Sequence, residues 1–169
     1  MAFVSQAPGT RQMIYRPYKP GDFDPLYAVE EVCFETPFRF SRRVMRQLVD
    51  NPRSATWIAE EDGRVQGFAI VEWVEEAGAT IAYIPTIEVA PEKRGSGAGG
   101  ELLRLLEQSA AAAGALAIWL HVAENNSGAI RLYEAHGYRF ENREADFYPK
   151  GGVALVYAKP LEGSAAVNS

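Results

Sequence analysis

A glycine-rich turn between an apolar segment and an amphipathic helix constrains this chain more than any other feature of its sequence. Residues 89–108 read VAPEKRGSGAGGELLRLLEQ, and four glycines come just where the helix begins: Gly95, Gly97, Gly99 and Gly100. Glycine has no Cβ, so backbone N–H groups at such a turn can close around an anion. Arg94 adds a positive charge beside the turn. The segment therefore predicts a strand–turn–helix unit that holds a phosphate group.

The turn differs from the two commonest nucleotide-binding loops. Residues 94–99 read RGSGAG, which lacks the Gly-Lys-Ser/Thr ending of the P-loop and the third glycine of the dinucleotide fingerprint. ATP and NAD are thereby disfavoured. A diphosphate is favoured, because the N–H groups and the helix dipole act on the same charge. The alternative, a tight strand-to-helix connection without a ligand, stays open at this point.

Length and composition predict one domain with one substantial core. The chain has 169 residues, of which 47% are hydrophobic. The regular patterns run over residues 13–161, where we expect the single domain. Residues 1–12 and 162–169 are small and polar, and we expect both ends to be mobile.

Charge and cysteine usage narrow the possible partners. The net charge of −5 disfavours a nucleic-acid partner, which would require a clustered excess of Lys and Arg. The single cysteine, Cys33, predicts neither an intramolecular disulfide nor a cysteine metal site, and we expect no metal. The sequence shows no leader pattern and no apolar run of about 20 residues, so we expect a cytoplasmic protein without a membrane partner.

Hydrophobic periodicity predicts the element order β-α-α-β-β-β-α-β-α-β-β. Strands are expected at 13–18, 57–59, 65–74, 80–89, 115–122, 138–148 and 153–159, and helices after Asp22, after Ser41, from the glycine turn to Gly114 and over 126–136. The strand–helix–strand crossover around the glycine turn predicts two parallel strands. We therefore expect an α/β (α+β) fold with a mixed sheet of about seven strands, helices on both faces, and a cleft where the parallel strands diverge.

Two motifs in this order resemble a known superfamily. The first is R-x-x-G-x-G between an apolar strand and an amphipathic helix, and the second is NSGAIRLYEAHGYRF further along, with Asn126, Ala129, Tyr133 and Gly137. Together they resemble the GNAT superfamily of acetyl-CoA-dependent N-acetyltransferases over nearly the whole folded region. The fold expected above is then the GNAT fold, and acetyl-CoA is the implied acyl donor.

The resemblance implies how acetyl-CoA is held. The glycine turn holds the CoA pyrophosphate, the backbone of the preceding strand faces the pantetheine and the thioester carbonyl, and the second motif lines the other wall. The implied residues are Ile87, Glu88, Val89, Arg94, Gly95, Ser96, Gly97, Ala98, Gly99, Gly100, Asn126, Ala129 and Tyr133. The Val89 N–H is the expected donor to the developing oxyanion if the strand bulges there.

Within the superfamily, the chain resembles the protein N-terminal acetyltransferases, of both the ribosomal-protein-alanine type and the eukaryotic type. The likeness lies in AYIPTIEV with Tyr83, IWLHV with His121, and ADFYP with Phe147 and Tyr148. In the eukaryotic type, such a tyrosine and histidine hold the water that takes the amine proton. The bacterial ribosomal type has a glutamate at the place of His121, so this sequence departs from that type there.

The candidate catalytic residues fit the chemistry of an amine attacking a thioester. An α-amine has a pKa of about 8 against about 10.4 for lysine, so a modest base such as His121 suffices through a water that Tyr83 orients. Tyr133, expected at a helix start, is the candidate acid for the CoA thiolate. Glu88 is the second candidate base, because the strand period puts it opposite Tyr83 unless a bulge intervenes. Simple core packing remains the alternative for each of these side chains.

Two aromatic segments predict where the acceptor binds. Phe34, Glu35, Pro37 and Phe38 form one, and Phe147 with Tyr148 forms the other; together they can clamp a peptide's first side chain, although such segments also serve as covers of a core. The favoured function is direct acetyl transfer to a primary amine, most favourably the N-terminal α-amine of a protein or peptide. No cysteine is expected near the cleft motifs, so we expect no acyl-enzyme.

Two rival functions stay open. A small-amine acetyltransferase acting on a polyamine, an amino sugar or an amino acid would concentrate acidic residues in the acceptor loops, where only Glu35, Glu144 and Asp146 occur. A non-catalytic acyl-CoA-binding regulatory module would keep the fold without the chemistry. The sequence leaves the oligomeric state undetermined.

Overall fold

The computed structural model describes residues 12–36 and 38–161. Pro37 and the two terminal segments 1–11 and 162–169 lie outside the described residues. The strands are β1 (Ile14–Pro17), β2 (Ser54–Glu61), β3 (Arg64–Glu76), β4 (Ala79–Val89), β5 (Ala115–Ala123), β6 (Arg139–Tyr148) and β7 (Gly152–Pro160), and the helices are α1 (Phe23–Cys33), α2 (Arg42–Asp50), α3 (Ala98–Ala112) and α4 (Ser127–Ala135). Two short 3₁₀ turns precede α1 and α3. The predicted element order is confirmed.

The seven strands form one mixed sheet in the order β1-β2-β3-β4-β5-β7-β6. Strands β4 and β5 are parallel because α3 connects them as a crossover, whereas the other five neighbouring pairs are antiparallel. The predicted fold class is therefore confirmed.

The pairing of β4 with β5 stops partway along both strands. It runs from Thr80 opposite Ala115 to Ile84 opposite Leu120. Beyond this point β5 pairs only with β7, as far as Ala123, while β4 continues beside β3 to Val89. The two parallel strands therefore separate and leave a cleft at their carboxyl ends.

Helices cover both faces of the sheet, and each face has its own apolar cluster. On one face α3 buries Leu102, Leu103 and Leu106 against strand residues that include Ile84 and Ile118. On the other face α1 and α2 pack on β2 and β3 through residues such as Leu26, Met45, Ile58, Phe68 and Ile70. The α3 cluster thus packs on both strands of the cleft, β4 and β5, while the α1–α2 cluster holds the neighbouring strands β2 and β3.

Local turn and cap signals agree with the structure in most places. Asp62 and Gly63 have φ values of 52° and 74° in the tight turn between β2 and β3, as the predicted hairpin requires. The Ser41 hydroxyl accepts from the Val44 N–H at 3.2 Å and caps α2. Asp22 differs from the prediction, because its carboxylate binds Arg16 and the Lys19 N–H instead of an N–H of α1. Within the described residues, no helix is long and apolar enough to cross a bilayer.

Candidate active site

A β-bulge in β4 lies at the point where the cleft opens. Ile70 of β3 is opposite Thr86 and Glu72 is opposite Tyr83, so Ile84 and Pro85 together face a single residue of β3. The role predicted for the Val89 N–H carried the condition of a bulge at Val89, and the observed bulge lies earlier in β4. Proline in a strand favours a bulge because it has no N–H to donate to a neighbouring strand, so Pro85 was a signal for this position.

The bulge places Tyr83 and Glu88 on the same face of the sheet. Their partners on β3 are Glu72 and Phe68, which lie four residues apart and therefore share a face. The sequence predicted that Tyr83 and Glu88 lie on opposite faces unless a bulge intervenes. The bulge does intervene, so the exception applies. The two side chains are nevertheless not in contact, because they lie opposite residues of β3 that are four positions apart.

The backbone of β4 beyond the bulge has groups that point into the cleft. The Ala90 N–H donates to the Gln66 carbonyl at 2.7 Å, so residues 86 and 88 also bond to β3 in the antiparallel alternation. The N–H and C=O groups of Ile87 and Val89 therefore point to the side where β5 has separated. These are the backbone groups that the sequence analysis assigned to the pantetheine and the thioester carbonyl.

Tyr83 and His121 are in direct contact on the neighbouring parallel strands. The Tyr83 hydroxyl oxygen lies 2.8 Å from Nδ1 of His121, and Nε2 of His121 lies 3.2 Å from Oε2 of Glu144 on β6. Burial, followed by the nearby acidic side chains of Tyr148, Glu72 and Glu144, raises the pKa of Tyr83 to about 12. The phenol is therefore protonated at neutral pH.

Aromatic rings enclose His121. Phe147 stacks on the imidazole with ring centroids 4.0 Å apart and an interplanar angle of 19°, and the Trp119 ring is 5.2 Å away. The register of β6 against β7 shifts between Glu144 and Tyr148, and this irregularity lies where Phe147 meets the imidazole. Only 10% of the His121 side chain is exposed.

The four glycines of the glycine turn fall into two pairs that differ in backbone conformation and in packing. Gly95 and Gly97 have φ values of 79° and 88°, which glycine adopts without strain, and Gly97 is the N-cap of α3. A Cβ on Gly100 would lie 3.1 Å from Nε2 of His136, and one on Gly99 would lie 3.3 Å from Leu132. Gly99 and Gly100 therefore let α3 pack closely on α4, an effect that the sequence analysis did not separate from anion binding.

The first turn of α3 leaves backbone donors free for a ligand. The Glu101 N–H donates to the Gly97 carbonyl, so the N–H groups of Ala98, Gly99 and Gly100 precede the first intrahelical bond. The Ser96 hydroxyl donates to the Lys93 carbonyl at 2.6 Å and holds the loop in shape. This helix terminus has the geometry of an anion site.

Cys33 contacts the glycine turn, which corrects the expectation that no cysteine lies near the cleft motifs. Its thiol donates to the Val89 carbonyl at 3.5 Å, and Arg94 donates to the same carbonyl at 3.2 Å and to the Cys33 sulfur at 3.6 Å. The contact arises because α1 ends against the end of β4. Burial, then the charge of Glu88, raises the pKa of the thiol to about 11, so it is a poor nucleophile at neutral pH.

Glu88 is buried under α1 instead of facing open space. The Thr86 hydroxyl donates to its Oε1 at 2.8 Å. Burial and then the charge of Glu30 raise the pKa of Glu88 to about 8. Glu30 is itself fully buried and accepts from the Phe40 N–H at 2.9 Å, and its pKa is also raised, mainly by burial. Glu88 therefore carries a proton at neutral pH.

The second motif forms α4 with one difference from the prediction. The Asn126 side chain caps the helix by accepting from the Ala129 N–H at 3.2 Å. Tyr133 was expected at a helix start, but α4 begins at Ser127, which puts Tyr133 in its last turn. The side chain is buried, and burial together with the charge of Glu88 raises the pKa of its phenol. Among the described residues, the hydroxyl has no hydrogen-bond partner.

The two predicted acceptor segments are exposed and lie on different parts of the fold. Phe34, Phe38 and Phe147 have 36%, 47% and 42% of their surface exposed. Glu35 shapes its segment through its carbonyl, which accepts from the Phe38 and Arg39 N–H groups. Tyr148 lies edge-on to Phe147, and Pro37 is not among the described residues. No ring contact joins Phe34 or Phe38 to Phe147 in the described part of the chain.

Sequence reasoning missed the contact of Glu144 with His121 and counted this glutamate only as an acidic loop residue. Its contact with His121 depends on the pairing of β6 with β7 and of β7 with β5, which no local pattern reveals. Residues 12–36 and 38–161 contain no group of three His, Cys, Asp or Glu side chains placed to hold a metal ion.

Sequence comparisons identify similar proteins that are named as acetyltransferases. A streptothricin acetyltransferase of Streptomyces lavendulae is 36% identical over 112 residues, which are 63% of this chain and 58% of that enzyme. The ribosomal protein bS18-alanine N-acetyltransferase of Escherichia coli (strain K12) is 30% identical over 104 residues, which are 60% of this chain and 68% of that enzyme.

Solved structures share the fold. The crystal structure of the Escherichia coli ribosomal-protein-S18-alanine N-acetyltransferase matches with a TM-score of 0.78 and 24% identity over 89% of this chain and 94% of the other. A chain of the NatC complex bound to Gag peptide and CoA matches with a TM-score of 0.81 and 20% identity over 89% of this chain and 99% of the other.

The family model covers most of the chain, including the glycine turn, the β4–β5 cleft and α4. Residues 23–138 match the model of the acetyltransferase (GNAT) family. The chain therefore belongs to the GNAT family and is an acetyl-CoA-dependent N-acetyltransferase.

Proposed function

We propose that this enzyme transfers the acetyl group of acetyl-CoA directly to the N-terminal α-amine of a protein or peptide. The observation that carries the proposal is the hydrogen-bonded pair of Tyr83 and His121, which lies where β4 and β5 separate and beside an exposed aromatic ring, Phe147. This arrangement provides a weak base next to an apolar surface. An α-amine with a pKa of about 8 needs no stronger base.

For the acyl donor, we assign the pyrophosphate to Arg94 and the free N–H groups at the start of α3. The residues in this assignment are Arg94, Gly95, Ser96, Gly97, Ala98, Gly99 and Gly100. Positive φ at Gly95 and Gly97 shapes the loop, and the α3 dipole favours a negative ligand. The backbone groups of Ile87 and the Val89 N–H receive the pantetheine, since the Val89 carbonyl already accepts from Cys33 and Arg94. Asn126, Ala129 and Tyr133 form the opposite wall.

For the chemistry, we assign the base to His121 with Tyr83 and the acid to Tyr133. Glu88 is a weaker candidate for the base, since its carboxyl is covered by α1, bonded to Thr86 and protonated at neutral pH. The Tyr133 phenol is protonated at neutral pH, since its pKa lies above neutrality even before burial raises it. It therefore has a proton to give to the departing CoA thiolate, while the Val89 N–H faces the developing oxyanion.

For the acceptor, we assign the first side chain to the exposed aromatic segments. Phe34, Glu35, Pro37 and Phe38 form one side, and Phe147 and Tyr148 form the other. Aromatic surfaces suit an amino-acid side chain better than a polyamine, whose several positive charges require unpaired carboxylates. Glu144 is engaged by His121, which leaves few acidic groups for such a ligand.

Similar proteins support both this proposal and one alternative. One relative is named for alanine acetylation on ribosomal protein bS18, and one structural neighbour was solved with a peptide and CoA. The 36% identity to a streptothricin acetyltransferase supports the alternative, a small-molecule amine as the acceptor.

A thiol-release assay tests the proposal. The purified chain is given acetyl-CoA with short peptides that differ in their first two residues, and separately with free lysine, spermidine, an aminoglycoside and streptothricin. We expect release of CoA with a subset of the peptides, and mass spectrometry should locate the acetyl group on the α-amine.

The matched control is each reactive peptide with its α-amine already acetylated and its lysines retained. This control should give only background release. Turnover of the small amines alone, with none of the peptides, would replace the proposed acceptor by the small-molecule alternative.

A further inference from the structure

Within residues 12–36 and 38–161, Glu144 is the one charged side chain that bonds to His121 on the side away from Tyr83. It lies on β6 opposite Ala154 of β7, and its Oε2 is 3.2 Å from Nε2 of His121. The Glu144 side chain is 41% exposed, whereas that of His121 is 10% exposed. A surface carboxylate is therefore linked to a nearly covered imidazole.

The contacts of His121 determine which ring nitrogen carries the proton. A carboxylate accepts hydrogen bonds and does not donate them, so the neutral imidazole has its hydrogen on Nε2, facing Glu144. Nδ1 is then unprotonated and accepts from the Tyr83 hydroxyl. The three side chains form a directed chain of hydrogen bonds from Tyr83 through His121 to Glu144.

The same contacts leave no free nitrogen for a substrate. Both ring nitrogens have partners, Phe147 lies over one face at 4.0 Å, and Trp119 packs at 5.2 Å. An amine or a water in the cleft therefore meets the Tyr83 oxygen before it meets the imidazole. His121 can receive a proton there only through the phenol.

We propose that Glu144 is a positioning residue, which orients His121 so that the Tyr83 hydroxyl relays the proton of the acceptor amine. As the amine nitrogen bonds to the thioester carbon, its proton passes to the Tyr83 oxygen, while the Tyr83 proton passes to Nδ1 of His121. The C–S bond then breaks, and the CoA thiolate takes its proton from the acid assigned above, Tyr133. The cycle closes when His121 releases its proton to solvent and Tyr133 regains one from solvent. The proposal rests on the proposed acetyl transfer to an amine, but it does not depend on which amine is used.

The charge of Glu144 has a second effect in this chain. Proton transfer turns His121 into an imidazolium held between a neutral phenol and a carboxylate, and the carboxylate stabilises that charge. The other titratable groups around this site are Glu72 of β3, which lies opposite Tyr83, and Tyr148 of β6. Among the described residues, only Glu144 bonds to the imidazole Nε2.

Two substitutions separate the effect of Glu144 on the orientation of His121 from the effect of its negative charge. Glu144→Gln keeps an oxygen that can accept from Nε2 but removes the charge, and Glu144→Ala removes both. With the amine that the wild-type enzyme uses best, we expect kcat to fall about 10-fold for Glu144→Gln and about 100-fold for Glu144→Ala. The KM for acetyl-CoA should stay unchanged in both. The acidic limb of the pH–rate profile should move to lower pH, because a charged imidazole is no longer stabilised.

Glu141→Gln on the same strand is the matched control. It removes one exposed carboxylate from β6 that has no bond to His121, and it should change neither kcat nor the pH profile. Wild-type rates and an unmoved pH profile in both Glu144 variants would overturn the proposal. Because the best amine is chosen from the panel first, a failure of the α-amine assignment remains distinguishable from a failure of the relay.

A spectroscopic readout tests the tautomer without turnover. The chain has two histidines, so ¹⁵N spectra of the imidazoles can be assigned by comparison with a His136→Gln variant. The neutral His121 ring should be the Nε2–H tautomer in the wild-type protein and a mixture of tautomers in Glu144→Ala. An Nδ1–H tautomer in the wild-type protein would reverse the direction of the chain and refute the relay.

Discussion

The Tyr83 hydroxyl lies 2.8 Å from Nδ1 of His121, across two parallel strands whose pairing ends one residue beyond Tyr83. Side chains placed at this point are anchored by the paired part of the sheet and face the part that has opened. A base held in this way keeps its orientation while the cleft beside it stays free for two substrates.

Tyr83→Phe and His121→Ala should each reduce kcat by about 10²- to 10⁴-fold, because each breaks the route by which the amine loses its proton. The double variant should be little worse than either single variant, since residues that act as a unit are not additive. The dissociation constant for acetyl-CoA, measured by calorimetry, should remain near the wild-type value. A matching loss of acetyl-CoA affinity would mean that the pair builds the donor site instead.

Gly97→Ala should weaken acetyl-CoA binding about 5- to 30-fold. Gly97 has a φ of 88°, and an alanine there costs about 1–2 kcal/mol or moves the loop out of shape. Gly21→Ala is the control, because a Cβ meets no atom within 4 Å at either glycine, but only Gly97 has a positive φ. Calorimetric titration of both variants measures the difference, and equal affinities would remove the glycine turn from the binding site.

Glu88→Gln should flatten the pH dependence of stability. The pKa of Glu88 is about 8 in the fold against the ordinary 4.5, so the folded protein holds more protons than the unfolded chain between these values. Stability therefore falls as pH rises through this window, by at most about 1.4 kcal/mol per pH unit. Glutamine retains the neutral shape and does not titrate.

Urea unfolding between about pH 5 and about pH 8 measures this slope. Glu92→Gln is the control, since that glutamate is exposed and its replacement should leave the slope as in the wild-type protein. An equal slope in the wild-type protein and in Glu88→Gln would mean that the buried carboxyl is not protonated in the fold.

Tyr133→Phe should reduce kcat by about 10- to 100-fold, because the CoA thiolate loses its proton donor. Tyr138→Phe is the matched control. The two rings pack at 5.8 Å, and the Tyr138 hydroxyl is buried without a partner among the described residues, so its loss should leave turnover unaffected. The measurement is the steady-state kcat of the two variants. Equal values would mean that Tyr133 serves only in core packing and not as the proton donor.

Cys33→Ser should retain the wild-type kcat even though the thiol lies against the glycine turn. The thiol has a pKa of about 11, so almost no thiolate is present at neutral pH to form an acyl-enzyme. Mass spectrometry of the wild-type protein after incubation with acetyl-CoA alone should find Cys33 unmodified. An acetylated Cys33 that disappears when an amine is added would indicate a covalent route.

Local patterns were sufficient for the elements and for their order. The turn at Asp62 and Gly63, the cap at Ser41 and the leucine stripe of α3 depend on neighbouring residues, so the sequence predicts them directly. The crossover rule then makes β4 and β5 parallel and predicts the cleft. Tyr83, His121 and Tyr133 were chosen by resemblance, and their roles remain predictions.

Features that depend on register were not predictable in the same way. The bulge at Ile84 and Pro85 changes which side chains share a face, and a one-residue shift of this kind inverts the alternation of a strand. Cys33 reaches Arg94 because a helix end packs on a strand end, 61 residues apart in sequence. Gly99 and Gly100 also serve as packing positions, because Leu132 and His136 lie within 3.4 Å of where their Cβ atoms would be.

The sequence by itself determined the family, the order of the elements and the position of the glycine turn, since these arise from short-range periodicity and from glycine's freedom at a helix start. The tertiary structure alone decided that Glu144 bonds to His121, that Cys33 lies at the turn and that Glu88 is covered. Each of these contacts joins segments that are distant in the chain, and their distances are set by strand register and helix packing, which short-range patterns do not encode.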